Sequence, residues 1–231
     1  MISIEQAINR AHDLVESAER ALEAGEIDEA EWHRRLSAIT TEKYLAADNP
    51  RAQSGHSGDE AHWTQARSLI VDGIDGNGTF LDVGCASGYL MECVQRWCAA
   101  QGLRVEPYGL EISQQLAELA RSRLPAWSDR ILVGNAMGWQ PPVRFDFVRT
   151  GLYVPWRRER DFVAHLLHHV VAPSGRLIIG VHNEAVERNP DSPTIEQRVA
   201  SWGYAIAGRS EREHRDPRIR YRAFWIDRPN E

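Results

Sequence analysis

Lysine is almost missing from this chain. Of 27 basic residues only Lys43 is a lysine, and acids outnumber bases for a net charge of −6. The sequence offers no functional account of the arginine bias. A surface that tracks nucleic-acid phosphates works by displacing condensed counterions and needs a positive excess, so this balance argues against a nucleic-acid partner. Cysteine is scarce too. Cys85, Cys93 and Cys98 have neither zinc-ligand spacing nor a disulfide framework, which points to a reduced, cytoplasmic protein. No apolar run reaches the ~18 residues of a membrane span. The opening residues are charged and amphipathic, without a signal-peptide core. Two nucleotide signatures are also absent. No G-x-G-x-x-G follows a strand, and no Lys-Ser/Thr pair closes a phosphate loop.

What remains is an ordinary globular composition, 42% hydrophobic and 26% charged over 231 residues. That length fits one large domain, or one domain with an appendage. Residues 1–50 read as a helical hairpin. Ile4, Ala7, Ile8, Ala11, Leu14, Val15, Ala18, Ala21 and Leu22 recur at helical spacing, Gly25 interrupts them, and Asp28 opens a second helix with Trp32, Leu36, Ile39 and Leu45 on one face. This hairpin is either a structural appendage, with a surface for a homodimer, or a lid. Residues 46–60 form a loop rich in turn formers.

From residue 51 to 231 strands and helices alternate. Strands are expected at 79–83, 105–111, 131–133, 144–149, 177–181, 204–209 and 221–226, with Ala172–Gly175 a turn. The fold class is therefore α/β: a seven-stranded, mostly parallel, doubly wound sheet with an antiparallel last strand, preceded by the N-terminal hairpin.

The stretch Phe80–Leu90, FLDVGCASGYL, carries the chemistry. An apolar strand with one acid breaks into a glycine turn and resumes as a helix. In open α/β sheets ligands sit beyond the carboxyl ends of the strands. Asp82-Val-Gly84-Cys85-Ala86-Ser-Gly88 resembles the first motif of class I S-adenosylmethionine-dependent methyltransferases, and three further stretches follow in order: YGLEIS (108–113), VGNAMGW (133–139) and FDFVRTGLYVPW (145–156). The turn from Val170 to Gly180 is similar to the one leading into that family's fifth strand. The resemblance runs from about His56 to the end.

The resemblance implies S-adenosylmethionine as cofactor and a set of site residues. Gly84, Cys85, Ala86 and Gly88 would form the turn under the donor, with Asp82 supporting the turn and the ammonium of the donor's tail. Glu111 would accept both ribose hydroxyls, as two carboxylate oxygens suit two vicinal donors. Ile112 would lie on the adenine face. Asn135 replaces the family's acid at the adenine amino group, with Ala136 and Met137 offering backbone groups. Thr150 and Tyr153 fall in the loop where donor and acceptor meet, and Tyr153 could orient the acceptor. His56 and Trp63 precede the core, where a cover would lie. His182, at the sheet's carboxyl edge, is the first candidate for a general base, since an imidazole titrates in the useful range. His165, His168 and His169 share helical spacing, but no acid on their helix completes a ligand set, so no metal is expected.

The expected activity is methyl transfer to a small molecule by in-line displacement, with the acceptor atom open. Alternatives are an RNA or protein methyltransferase, whose footprint would be the arginines from Arg209 to Arg222, or a donor-binding module without catalysis. Acids interleave those arginines, which favours a solvated hairpin.

Overall fold

A computed structural model of the chain describes residues 14, 16–185 and 193–229; at 182–185 and 219 the backbone alone is described. The apolar positions assigned to the first helix before Leu14, and Val15, lie outside these residues. Helix α1 spans 16–23, and the chain turns at Gly25, whose φ of 72° is left-handed. Asp28 caps helix α2 (Glu29–Leu45) by accepting the Glu31 N–H at 2.8 Å. Trp32 buries itself with Ala18 and Leu22, closing the hairpin. Leu45, expected on the same face, is exposed instead, because the second half of α2 turns a polar face to the rest of the molecule. Helix α3 (Glu60–Arg67) follows, capped by Asp59.

The sheet then builds in alternation. Strand β1 (Gly78–Val83), helix α4 (Tyr89–Ala100), β2 (Val105–Glu111), α5 (Gln114–Arg123), β3 (Ile131–Val133), β4 (Phe145–Thr150), α6 (Glu159–His165), β5 (Val171–Ala185), α7 (Ile195–Ser201), β6 (Gly208–Glu213) and β7 (Ile219–Asp227) follow one another. The strand order is β3-β2-β1-β4-β5-β7-β6, with β7 antiparallel to both neighbours and the other pairs parallel. Successive side chains enter opposite cores. Leu81, Val148, Ile179 and Phe224 face α6 and α7, whereas Phe80, Phe147, Ile178 and Ala223 face α3 and α4. Burial on both faces explains why the central strands are nearly all apolar.

Two expectations need correction. The turn at Ala172–Gly175 does not precede β5 but lies inside it as a bulge. Phe145 pairs with Val171 and Phe147 with Arg176, and Ser174 takes a φ of 61°. The sixth strand starts later than its alternating apolar residues imply. Tyr204 and Ile206 pack against the core without joining a ladder, and pairing begins where the Ala207 N–H reaches the Trp225 carbonyl at 2.9 Å. Among the described residues no helix is long and apolar enough to cross a membrane.

The hairpin is anchored to the sheet's carboxyl edge. The Thr41 hydroxyl donates to Ser113 Oγ at 2.7 Å, and Ser113 is also the N-cap of α5. Arg158 donates to Glu29 at 2.6 Å. We expect Thr41→Val to cost about 1 kcal/mol, one buried hydrogen bond. Ser113→Ala should cost more, because it also removes a helix cap worth about 1 kcal/mol. Urea titrations of both variants check the ordering, and equal or reversed costs would contradict it.

Candidate active site

The ends of β1, β2 and β4 meet at one edge of the sheet, and the glycine turn lies there. Gly84, Ala86 and Gly88 all take left-handed φ, at 79°, 48° and 74°. A glycine does so freely. Ala86 does not, and its Cβ against the following carbonyl costs about 1–2 kcal/mol. The turn is held by its neighbour strand. The Gly84 N–H donates to the Leu110 carbonyl at 2.8 Å, and the Ala86 N–H to Glu111 Oε2 at 2.8 Å. Glu111 Oε1 takes the Ser113 N–H at 2.9 Å. Burial pushes the Glu111 carboxyl up, and these backbone donors pull it back.

Asp82, 1% exposed, meets Arg149 of β4 at 3.1 Å, its direct partner in the strand register. The ion pair sits beneath the turn. Burial lifts Asp82 to about 6, with Arg149 pulling the other way.

Two adjoining cavities open above these groups. The larger, about 380 Å³, has Asp82, Gly84, Cys85, Ala86, Glu111 and Arg149 on its floor. Its wall is α2 (Trp32, His33, Leu36, Thr41, Tyr44) with Trp63, Arg67 and Tyr153. The smaller, about 120 Å³, lies between Ile112, Asn135, Ala136, Thr150 and Phe162. Gly84, Ile112, His33 and Tyr153 line both. A separate, more open depression at the opposite end of the strands is polar, and its Arg176 is paired with Asp75 and Asp227.

Most expected site residues converge here; His56, Gly88 and Met137 do not line either cavity, and the side chain of His182 is not described. His56 stacks on His62 and Trp63, with ring centroids 4.8 and 5.5 Å away, and lines neither cavity. Gly88 lies under α5, where a Cβ would come within 2.7 Å of Leu124. Met137 packs against the core, and its N–H is taken by Asn135 Oδ1 at 3.0 Å. The Asn135 carbonyl therefore already has a local partner. His182 falls within β5 rather than after it, in the register break between Val181 and Glu184; its side chain lies outside the described residues. Cys85 is buried and its thiol is pushed well up by burial, as befits a filler under the turn. Among the described residues no group of three or more His, Cys, Asp or Glu is placed to hold a metal ion.

Other residues of the site carried no motif. Arg149 left a trace, a charge inside the apolar strand FDFVRT. His33, Tyr44 and Arg67 left none, since only packing brings α2 and α3 over the turn. Burial lowers the His33 pKa, and its Nε2 makes no hydrogen bond among the described residues. Tyr44 crosses Gly55, where a Cβ would sit 2.2 Å from its hydroxyl and where φ is 81°. The arginines from Arg209 to Arg222 each meet an acid: Glu196, Asp72, Asp59, Asp216 or Glu211.

No protein-family model matches the chain, and no curated protein sequence does. Solved structures match its fold. The 1,6-didemethyltoxoflavin-N1-methyltransferase of Burkholderia thailandensis, with 1,6-didemethyltoxoflavin and S-adenosylhomocysteine bound, aligns at TM-score 0.63 and 15% identity over 88% of this chain and 92% of that one. The N-methyltransferase NodS of Bradyrhizobium japonicum WM9, with S-adenosylhomocysteine, aligns at 0.56 and 16% over 84% and 99%. The [4+2]-cyclase SpnF aligns at 0.56 and 18% over 76% and 86%. The chain has the class I methyltransferase fold: a seven-stranded, mostly parallel sheet with helices on both faces.

The buried ion pair gives a test with a sign. An acid whose folded pKa lies above the unfolded value of about 3.9 stabilises most below that value, and the contribution is lost as pH rises through about 6. Arg149→Met leaves Asp82 buried without its ion partner and should cost about 3–5 kcal/mol near pH 8. The cost should shrink near about pH 5, where Asp82 takes up a proton. Urea unfolding at both pH values measures it, and a cost that does not change with pH would refute the pairing.

Proposed function

We propose that the chain is an S-adenosylmethionine-dependent methyltransferase acting on a small molecule. The observation that carries this reading is Glu111. Its carboxylate ends β2, is aimed by two backbone N–H groups, and lies on the floor of a cleft with a glycine turn on one side and an apolar wall on the other. An acid so placed can accept two vicinal ribose hydroxyls, because each oxygen keeps a lone pair beyond the one given to the backbone. Ile112, Ala136 and Phe162 give the smaller cavity an apolar lining suited to an adenine ring, with Asn135 beside them. Solved structures of this fold with S-adenosylhomocysteine bound add support.

When bound, the donor supplies an activated methyl group on a sulfonium. The chain's part is to position and to shield. Gly84 and Ala86 let the backbone approach the ligand closely, and the Asp82–Arg149 pair holds the strand ends under it. Helix α2 lies over the cleft and would shield a bound donor from water. Tyr153, 69% exposed, stands at the junction of both cavities, where an acceptor would enter. His33 lines the same junction. With its pKa lowered by burial, it is neutral and able to take a proton from an acceptor that must lose one. His182, at the same edge, is the alternative base.

A second reading, a donor-binding protein that does not transfer the methyl group, is favoured by one observation: a [4+2]-cyclase shares the fold. Incubating the protein with methyl-labelled donor and a low-molecular-weight cell extract separates the two. Label moving into a small product supports transfer.

Glu111→Ala should weaken S-adenosylhomocysteine binding about 10- to 100-fold, the worth of hydrogen bonds to a charged group. Calorimetry giving an unchanged affinity would sink the donor assignment. His33→Gln should lower transfer at least about tenfold while leaving that affinity within about twofold. Full transfer would remove His33 from the reaction.

A further inference from the structure

The loop between α2 and α3 is fastened at both ends. At one, the Ser87 hydroxyl of the glycine turn donates to the Pro50 carbonyl at 2.9 Å and shares a 2.8 Å hydrogen bond with Ser54 Oγ. Ser54 lines the large cavity, so the position of the loop bears on the cleft. At the other end the fastening is made of imidazoles. The His56 ring, packed on His62 and Trp63, reaches β7 through its neighbour: His62 Nε2 meets the Tyr221 hydroxyl. His214, from the link between β6 and β7, stands 5.6 Å from His62 and 4.9 Å from Tyr221, centroid to centroid. Gly58 fits between the first two histidines, where a Cβ would fall 2.3 Å from His62 Nδ1 and 2.7 Å from His56 Nε2. Both nitrogens are shielded from solvent, and neither has a hydrogen-bond partner among the described residues.

A further positive charge is poorly placed here. Arg51, whose Nε donates to the Gly58 carbonyl at 2.6 Å, Arg67 and Arg215 all bear on the pair. The acids beside it are engaged. Asp59 accepts the His62 N–H and two bonds from Arg215, at 3.0 and 3.2 Å, and Glu60 is held by Arg51 and Tyr89. Burial first, then Arg67, His62 and Arg51, bring the His56 pKa down to about 4; burial, Arg215 and His214 lower that of His62. A histidine depressed in this way stabilises the docked loop above its free value of about 6.5, and that contribution is lost as pH falls toward about 4.

We propose that the His56–His62 pair is a proton-sensitive latch: with both rings neutral the loop stays on the glycine turn, and uptake of a proton frees it from Ser87 and loosens that side of the cleft. Its effect on donor binding rests on the methyltransferase reading; the latch itself does not.

Hydrogen exchange on the unliganded protein tests the latch. The amides of Gln53, Ser54, Gly55 and His56 are hydrogen-bonded within the loop and report its opening. Corrected for intrinsic exchange, their protection should fall about 10- to 30-fold from pH 7.5 to pH 5, the loss expected for one imidazole moving between about 6.5 and about 4. His56→Phe keeps a ring in place but takes no proton, so its protection should change less than about threefold over the same range. Arg215→Gln frees Asp59 to pair with a protonated His62, so release should need a pH lower by about half a unit or more. No fall in the intact protein, or the same fall in His56→Phe, overturns the latch. If His56→Phe leaves the loop unprotected at both pH values, Arg215→Gln decides, and an unmoved midpoint overturns it.

Calorimetry with S-adenosylhomocysteine tests the coupling. Asp82 titrates in the same range, so the informative quantity is the difference between proteins. From pH 7.5 to pH 5 the affinity of the intact protein should weaken at least about threefold more than that of His56→Phe. Equal weakening overturns the link to donor binding. If neither protein binds the nucleoside at either pH, the donor reading falls, and hydrogen exchange decides the latch alone.

Discussion

The Glu111 carboxylate ties three separate stretches of chain to one point. It ends β2, takes an N–H from the turn after β1, and takes another from the start of α5. The turn contains Ala86 in a backbone conformation that alanine adopts only at a cost, so something must hold it there. An N–H bond to an ionised acid is stronger than one to a neutral oxygen and can offset that cost. Ser113, whose N–H Glu111 orders, in turn caps α5 and receives the Thr41 hydroxyl of α2. The helical hairpin therefore reaches the glycine turn through a short run of hydrogen bonds. Removing the acid would loosen the turn, the helix start and the lid together. A ligand that adds hydroxyls to the same carboxylate would reinforce all three.

The same economy of charge shapes the rest of the cleft. Buried carboxylates and guanidinium groups are expensive unless paired. Asp82 and Arg149 neutralise each other across adjacent strands. Glu111 spends its charge on backbone N–H groups. Arg67, partly buried, lies against the face of Trp63, which eases a cation.

Much of this was legible in the sequence, and the boundary of legibility has a physical cause. Strand β1 was readable because a strand buried on both faces is a short apolar run between turn residues, as Phe80–Val83 shows. Glu111 and the glycine turn were readable because both are local: the turn needs left-handed residues and the acid ends a strand. Strand β6 was misplaced because Tyr204 and Ile206 alternate like strand residues while serving to cover the core edge. Leu45 was misassigned because it ends α2 facing solvent, whereas Thr41, one turn earlier, is the buried residue there. The half of the site contributed by His33, Tyr44 and Arg67 was hidden. Each belongs to a helix whose own pattern says only that it packs somewhere, and no spacing records that the packing brings it over β1.

That division bears on what the fold can and cannot decide. The floor of the cleft comes from strand ends and the turn after β1. The wall comes from α2, α3 and the loop after β4. A nucleoside recognised by Glu111 would be served equally well by any wall. His33, Tyr44, Arg67 and Tyr153 line that wall, and none of them belongs to a strand. Much of the wall is therefore set by how the N-terminal hairpin docks. Thr41 on Ser113 and Arg158 on Glu29 tie it where its His33 imidazole and Tyr44 hydroxyl line the same cavity as Arg67 of α3. The hairpin is then a wall of the cleft rather than an appendage to the sheet: without it the cleft keeps its floor, Trp63 and Arg67 of α3 and Tyr153, but loses Trp32, His33, Leu36, Thr41 and Tyr44.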